Sequence, residues 1–478
     1  MLKRVYVNEV EKQRRFMKSA MTIDGVFLSC QDILKWIKCR SDSVTVNIEI
    51  VNLSEMKDWY LDEAAGRVRH STGKFFSIDG IEVNTTIGEK RNWRQPIINQ
   101  PEVGFLGCLV KEFDGVLYFL VQAKIEPGNL NHVQLSPSLQ ATKSNYTRQH
   151  KGKSPRYLEY FQGARPITVL IDQLQSEQGA RFLNKRNRNI IVEIQDDIEL
   201  DDNFKWLTLG QIKELATYDN IVNMDLRTVI SGITFENIDI SPSWVSGEKS
   251  HLELTKSGKI AQFVLADEHA FHSMDEIISW LTELKSMHEL SVEKVSLSSL
   301  TDWELSEKGI FHKDRLYFDV RWVSVEIENR EVSKWYQPLV KPRQEGLIAF
   351  IVKKIDGVYH FLVQAKIECG NFDIFEFAPT VQCITGSYKS SLDRLPYLKY
   401  VLSARPDQVK YSALLSEEGG RFYHEQNLNL IIEADSDFPM ETPPTYKWLT
   451  LRQLLFFIKF NNYVNIQARS LISGIPFL

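Results

Sequence analysis

The chain repeats itself. GFLGCLVKEFDGVLYFLVQAKIEPGN begins at Gly104 and GLIAFIVKKIDGVYHFLVQAKIECGN begins at Gly346, 242 positions later, and FLVQAKIE recurs within them without a change. Chance does not place one octapeptide twice in 478 residues, so the chain is a tandem duplication. The register continues on both sides. Trp93 and Gln95 match Trp335 and Gln337, SEQGARF from Ser176 matches SEEGGRF from Ser416, and KWLTL from Lys205 matches KWLTL from Lys447. The match ends with NIVNMDLRTVISGI from Asn220 against NYVNIQARSLISGI from Asn462. Such a period is far above the roughly 20–50 residues of solenoid repeats, so each copy is expected to bury its own core. The expectation is two large domains, residues 1–240 and residues 241–478, related by a pseudo-twofold axis.

Within one copy, hydrophobic periodicity predicts a helix near residues 30–39, a strand over 44–51, a helix through Trp59 and strands over 74–81. Residues 104–126 read as a hairpin, with apolar runs on either side of a turn at Asp114-Gly115. Beyond a long loop come a helix over 157–163, a strand over 189–194 and a helix from Leu207 with Thr208 as its cap. Irregular alternation of strands and helices, joined by hairpins, gives an α+β class with mixed or antiparallel sheets. LRQLLFFIKF, from Leu451, reads as an exposed helix whose apolar face suits a subunit contact.

Composition narrows the class. Hydrophobic residues at 43% and charged residues at 25% describe a fully folded soluble protein. A net charge of −5 leaves no overall basic field for nucleic acid or an anionic membrane. Five scattered cysteines, with no CxxC pair, indicate neither a disulfide framework nor a zinc site, which suits a reducing cytoplasm. No apolar run reaches 18 residues and the start lacks the core of a signal peptide, so a cytoplasmic protein is expected, its basic first segment a helix packed on its own subunit. G-x-G-x-x-G after a strand, the P-loop, HExxH and GxSxG are all missing, so neither a nucleotide cofactor nor a metal is called for.

Strand alternation puts Gln122, Lys124 and Glu126 on one face of FLVQAKIE, and Gln364, Lys366 and Glu368 on the equivalent face of its copy. Such a face is either solvated or functional. The strand runs into a long loop, NLNHVQLSPSLQATKSNYTRQHKGKS, too apolar for disorder and too long for a mere connection. Its Asn129, Asn131, His132, Gln134, Gln140, Ser144, Asn145, Tyr146, Arg148 and Lys151 offer amides and hydroxyls that suit a sugar, with a basic end that suits a diphosphate. Arg165, Arg181, Arg405 and Arg421 are candidates for the same phosphate or for structural ion pairs, and Trp93 and Trp335 either stack a base or sit in the core.

At QAKIEPGN, QLSPSLQATKSNYTR and SEQGARF in the first copy, and at QAKIECGN, EFAPTVQ and LSEEGGRF in the second, the chain resembles the NDP-hexose 2,3-dehydratases of deoxysugar pathways, over nearly its whole length. The resemblance implies two Nudix-like units, a homodimer, and a dTDP-4-keto-6-deoxy-glucose as substrate, dehydrated without a cofactor. The glutamate-rich box of Nudix hydrolases is missing from both copies, which disfavours diphosphate hydrolysis. A C4 ketone acidifies the C3 proton, so the reaction needs a base, a donor for the enolate oxygen, and an acid for the departing C2 hydroxyl.

Comparison of the two loops then divides these roles. Asn131 and Gln134 of the first copy become Asp373 and Glu376 in the second, while His132 becomes Ile374, and Ser144, Asn145 and Arg148 become Gly386, Ser387 and Ser390. The expectation is a catalytic second copy, with Glu368, Asp373 or Glu376 as base, Lys366 on the enolate oxygen and Tyr388 as acid. The first copy is expected to bind sugar nucleotide through Lys124, Glu126 and the amide-rich loop, with Gln382 a binding residue of the second. The competing reading is a sugar-nucleotide-binding protein in which neither copy reacts.

Overall fold

A computed structural model of the chain describes residues 7–88, 90–147, 154–235, 269–328, 333–384 and 392–475. Mixed sheets and short helices build two similar halves, each centred on a seven-stranded sheet. In the first, the order is Thr168–Ser176, Arg186–Glu193, Phe105–Phe113, Val116–Ile125 and Phe204–Thr208, with Val133–Pro137 added to Val116–Ile125 and Leu139–Ala141 to Phe105–Phe113. The second sheet follows the same path through Val409–Ser416, Gln426–Glu433, Gly346–Ile355 and Val358–Lys366. One pair in each runs parallel, Arg186–Glu193 on Phe105–Phe113 and Gln426–Glu433 on Gly346–Ile355. The expected hairpin forms over residues 105–125. Asp114 and Gly115 take φ of 50° and 73°, and Asp356 and Gly357 take 48° and 86°, the left-handed pairs that a two-residue hairpin turn requires.

The five-stranded sheets break the expected separation of the copies. Val46–Ile50, from the first repeat, pairs antiparallel with Phe318–Ile327 of the second, and Leu290–Val295, from the second, pairs with Ser77–Thr85 of the first. Each repeat thus lends a strand to the other. Each copy buries a cluster of its own, Leu109, Leu120, Phe161 and Trp206 in the first and Ile351, Leu362, Val401 and Trp448 in the second, but the remaining core is shared. The main cluster joins Phe119, Leu135 and Leu226 to Phe350, Phe361, Phe377 and Leu471, and another joins Trp59, Phe76 and Phe182 to Trp303, Phe318 and Phe422. The period of the repeat defines the duplicated unit but not the pairing partner of its strands.

Two further expectations change. Trp59 lies on a strand, Trp59–Asp62, paired antiparallel with Arg67–His70; its side chain is buried and its indole Nε1 donates to the Tyr336 carbonyl of the other repeat at 2.7 Å. The helix Leu451–Ile458 is not an exposed face: Leu451, Leu454, Leu455, Phe457 and Ile458 are buried, and only Phe456 and the following Phe460 remain exposed. Other elements fall where periodicity puts them. Thr208 caps Leu209–Leu215 by accepting from the Gln211 amide, with Gln211 closing a capping box. Helix Glu9–Met21 buries Phe16, Met17 and Ala20 on its own chain, and the Ser19 hydroxyl donates to the Leu117 carbonyl at 2.6 Å.

Between the halves, helix Met224–Ser231 packs on its counterpart Ile466–Ser473. Arg227 and Arg469 lie on these helices, each 1% exposed. Arg227 donates from Nε to the Ser470 hydroxyl at 2.7 Å and from Nη2 to the Ser416 carbonyl at 2.7 Å. Reciprocally, Arg469 donates to the Thr228 hydroxyl at 3.1 Å and to the Ser176 carbonyl at 2.6 Å. With strands, core and arginines shared, denaturation is expected to be one transition, coincident by circular dichroism and tryptophan fluorescence; two separated transitions would contradict the shared core. Arg227→Met leaves buried carbonyls without donors and is expected to cost about 2 kcal/mol or more, read from the denaturation midpoint.

Candidate active site

The QAKIE strands end where the repeats meet. Val116–Ile125 turns through residues 126–132 into Val133–Pro137, so that Lys124 lies opposite Gln134; in the copy, Lys366 lies opposite Glu376. The polar face is not solvated: Lys124 and Lys366 are half-buried, and Glu126 and Glu368 are 4% and 5% exposed. Gln140 donates to Glu126 Oε1 at 2.7 Å, and Gln382 to Glu368 Oε1 at 2.9 Å. Each glutamine is positioned in turn by a helix N-cap. Asn223 Oδ1 accepts from the Leu226 amide while its Nδ2 donates to Gln140 at 3.1 Å, and Asn465 likewise caps its helix and donates to Gln382 at 2.8 Å. Lys124 Nζ donates to the Gln140 carbonyl at 3.3 Å.

The other repeat closes each strand end. Gly128 donates to the Gly419 carbonyl at 2.7 Å and Gly370 to the Gly179 carbonyl at 2.6 Å, so the SEEGGRF turn covers the first strand end and SEQGARF covers the second. The approach requires glycine. A Cβ on Gly128 would stand 1.6 Å from the Phe422 carbonyl oxygen, and one on Gly370 would stand 1.7 Å from that of Phe182. Trp93 and Trp335, both half-buried, support these turns: Trp93 donates to Gln95, which donates to the Ala180 carbonyl at 3.1 Å, and Trp335 donates to Gln337, which donates to the Gly420 carbonyl at 2.9 Å. Arg421 and Arg181 flank the turns with their guanidinium groups on Phe76 and Phe318, 4.2 and 4.1 Å from the ring centroids.

Both strand ends hold polar atoms without partners. Glu126 Oε2 and both amide atoms of Asn129 are buried and unpaired, as are Glu368 Oε2 and both amide atoms of Asn371. Buried polar groups are almost always hydrogen-bonded, so these atoms, at symmetric positions, stand out from the rest of the interior.

The remaining candidates divide. Glu376 accepts from the Ser176 hydroxyl at 2.8 Å, and burial pushes its carboxyl up to about 7, opposed by that bond and by Arg469. Gln134 accepts equivalently from Ser416 at 2.8 Å and donates to Asn131 at 3.0 Å. Asp373 stands at the rim, ion-paired with Lys285. Burial holds the His132 imidazole below its ordinary range, and its Nδ1 is buried and unpaired. Ser144 bonds Thr142 at 2.8 Å and Glu102 at 3.3 Å, and the Tyr146 ring rests on Phe105. Arg405 is an exposed ion-pair residue with Asp407 and Asp435, and Arg165 is exposed beyond helix Leu158–Gln162. Arg148 and Tyr388 lie outside the described residues, as does the side chain of Asn145.

Two residues absent from the sequence-based candidates join the first strand end. Asp225, 2% exposed, follows the cap Asn223, and burial together with Glu418, Glu126 and Glu177 raises its carboxyl well above the usual range. Glu418 arrives from the other repeat's turn; burial raises it too, against the pull of Arg421. Aligning NMDLRTV with NIQARSL, and SEQGARF with SEEGGRF, reveals the signal: Gln467 and Gln178 hold these places at the second strand end.

Comparison with known proteins agrees with this duplicated plan. The NDP-hexose 2,3-dehydratase family matches residues 30–233 and again residues 274–475. A dTDP-4-dehydro-6-deoxy-alpha-D-glucopyranose 2,3-dehydratase of Saccharopolyspora spinosa is 42% identical over 464 residues, 97% of this chain and 94% of the relative. A protein of the same description from Amycolatopsis orientalis is 41% identical over 468 residues, covering 96% and 93%. The interlocked turns carry a prediction: Gly128→Ala and Gly370→Ala are each expected to cost about 2 kcal/mol or more in chemical denaturation, since the methyl meets backbone. A midpoint unchanged in both variants would show that the turns do not interlock.

Proposed function

Since the chain belongs to the NDP-hexose 2,3-dehydratase family, we propose that it removes water across carbons 2 and 3 of a dTDP-linked 4-keto-6-deoxyhexose, as a carbon–oxygen lyase. The carrying observation is the pair of strand ends beneath the other repeat's turn, each placing a half-buried lysine two residues before a glutamate with one buried oxygen lacking a partner, close to an asparagine whose buried amide also lacks one. Amide and carboxylate groups of this kind suit sugar hydroxyls, and a lysine suits the oxygen on which negative charge develops.

The chemistry follows from the ketone. A carboxylate takes the C3 proton, the electron pair moves onto the C4 oxygen, and Lys124 or Lys366 stabilises the enolate there. The enolate then expels the C2 hydroxyl as water. No redox cofactor enters the step. We read each half as a Nudix-like unit that lacks the hydrolase's glutamate box, a reading supported by the mixed sheet with a helix at its strand ends. A homodimer belongs to the same reading, with exposed Phe456 and Phe460 as apolar surface available to it.

The test is incubation with dTDP-4-keto-6-deoxyglucose, followed by mass spectrometry. The expected product is lighter by one water with its diphosphate intact. Recovery of unchanged substrate at saturating enzyme would favour the non-catalytic binding protein, and release of a nucleoside monophosphate would favour a hydrolase.

A further inference from the structure

The geometry points to Asp225 and Glu418, brought from opposite repeats to the first strand end, as the proton-transfer pair of the elimination. This assignment rests on the dehydratase reading and names the groups that perform it.

The two strand ends share one framework, although Asn131, His132 and Gln134 of the first stand as Asp373, Ile374 and Glu376 in the second. Lys124 and Lys366, Glu126 and Glu368, Asn129 and Asn371, Gln140 and Gln382, and the caps Asn223 and Asn465 occupy equivalent places with equivalent bonds. Against that sameness, three differences cluster at one spot: Asp225 for Gln467, Glu418 for Gln178, and Gly420 for Ala180. A Cβ on Gly420 would lie 3.2 Å from Glu418 Oε1 and 3.8 Å from Glu126 Oε1, so both carboxylates border a space that the glycine leaves open. At the second strand end the Ala180 methyl occupies the corresponding position. Asp225 completes the group, buried two residues past Asn223, the helix cap that orients Gln140 and, through it, Glu126.

An elimination needs an acceptor for the C3 proton and a donor for the C2 hydroxyl, and an amide supplies neither. The second strand end has Glu368, but its other near carboxyls are committed. Glu376 is tied to Ser176 beside Arg469, a contact that Gln134 makes in neutral form in the first repeat. Glu417 accepts from Asn427 and Gln178, and Glu425 lies beside it near Arg181.

Environment separates the roles at the first strand end. Burial and the neighbouring Glu418, Glu126 and Glu177 push the Asp225 carboxyl well above its usual range against the pull of Lys124, which suits it to serve as the acid; Glu418, half-buried on its turn and drawn down by Arg421 against burial, serves as the base. Glu418 takes the proton as the C3–H bond breaks and its electron pair moves to the C4 oxygen near Lys124. The enolate collapses, C2=C3 forms, the C2–O bond breaks, and the leaving oxygen takes the Asp225 proton to depart as water. Return of the proton from Glu418 to Asp225 resets the pair, and the enol product ketonises at C3 with a solvent proton added at C2.

The experiment compares Glu418→Gln and Asp225→Asn in deuterated water, following both water loss and deuterium at C3 of remaining substrate, with nucleotide binding and melting temperature as controls. Glu418→Gln is expected to lose about 100-fold or more in kcat and to lose C3 exchange with it. Asp225→Asn is expected to lose about as much water formation yet keep C3 exchange, which a structural role would not produce. Water loss within threefold of the wild type in either variant, exchange undiminished in Glu418→Gln, or exchange abolished in a folded Asp225→Asn would overturn the assignment. Should Asp225→Asn fail to fold, Glu418→Gln, on a turn, decides alone. A wild-type protein that releases no water would instead sink the dehydratase reading itself.

Discussion

Two buried guanidinium groups hold the molecule together. Arg227 and Arg469 lie on adjoining helices with 1% exposure, and each must find acceptors inside the protein because removing a cation from water without them is prohibitive. Each finds one on the far side of the pseudo-symmetry: the carbonyl of Ser416 for Arg227 and that of Ser176 for Arg469. Those serines open the turns that close the opposite strand ends. The requirement to satisfy a buried cation thus fixes the turn, the turn fixes the glycine contacts at Gly128 and Gly370, and these complete the polar strand ends.

The same helices connect support to chemistry. On Met224–Ser231, Asn223 caps the N-terminus and orients Gln140, Asp225 is buried within reach of Glu126 and Glu418, and Arg227 clamps the neighbouring turn. Three functions within five residues follow from helix geometry, which sends successive side chains in different directions. In Ile466–Ser473 the cap and the clamp persist while the acid is replaced by Gln467. Architecture and reactivity are therefore separable along a single turn of helix.

Sequence legibility follows the range of each interaction. The hairpin at Asp114-Gly115, the Thr208 cap and the amphipathic first helix depend on near neighbours, and their residues announce them. Trp59 misleads because four residues are too few to separate a helical from an alternating pattern. Leu451–Ile458 misleads differently: its apolar residues are plain, but which surface covers them is a tertiary fact. The exchanged strands Val46–Ile50 and Leu290–Val295 leave no mark in the repeat period, since either repeat offers the same sheet edge. For the strand ends, Lys124, Glu126 and their copies are visible as an alternating face, whereas Asp225 and Glu418 are far apart in sequence and become neighbours only when the repeats interlock.

Strand exchange also bears on how unlike the two ends can become. A one-repeat chain could satisfy the same pairing only as a symmetric dimer, where every substitution appears twice and both ends stay identical. Linking the copies covalently lifts that constraint. One locus can then keep a carboxylate where its sibling carries an amide, within a scaffold neither half could complete by itself.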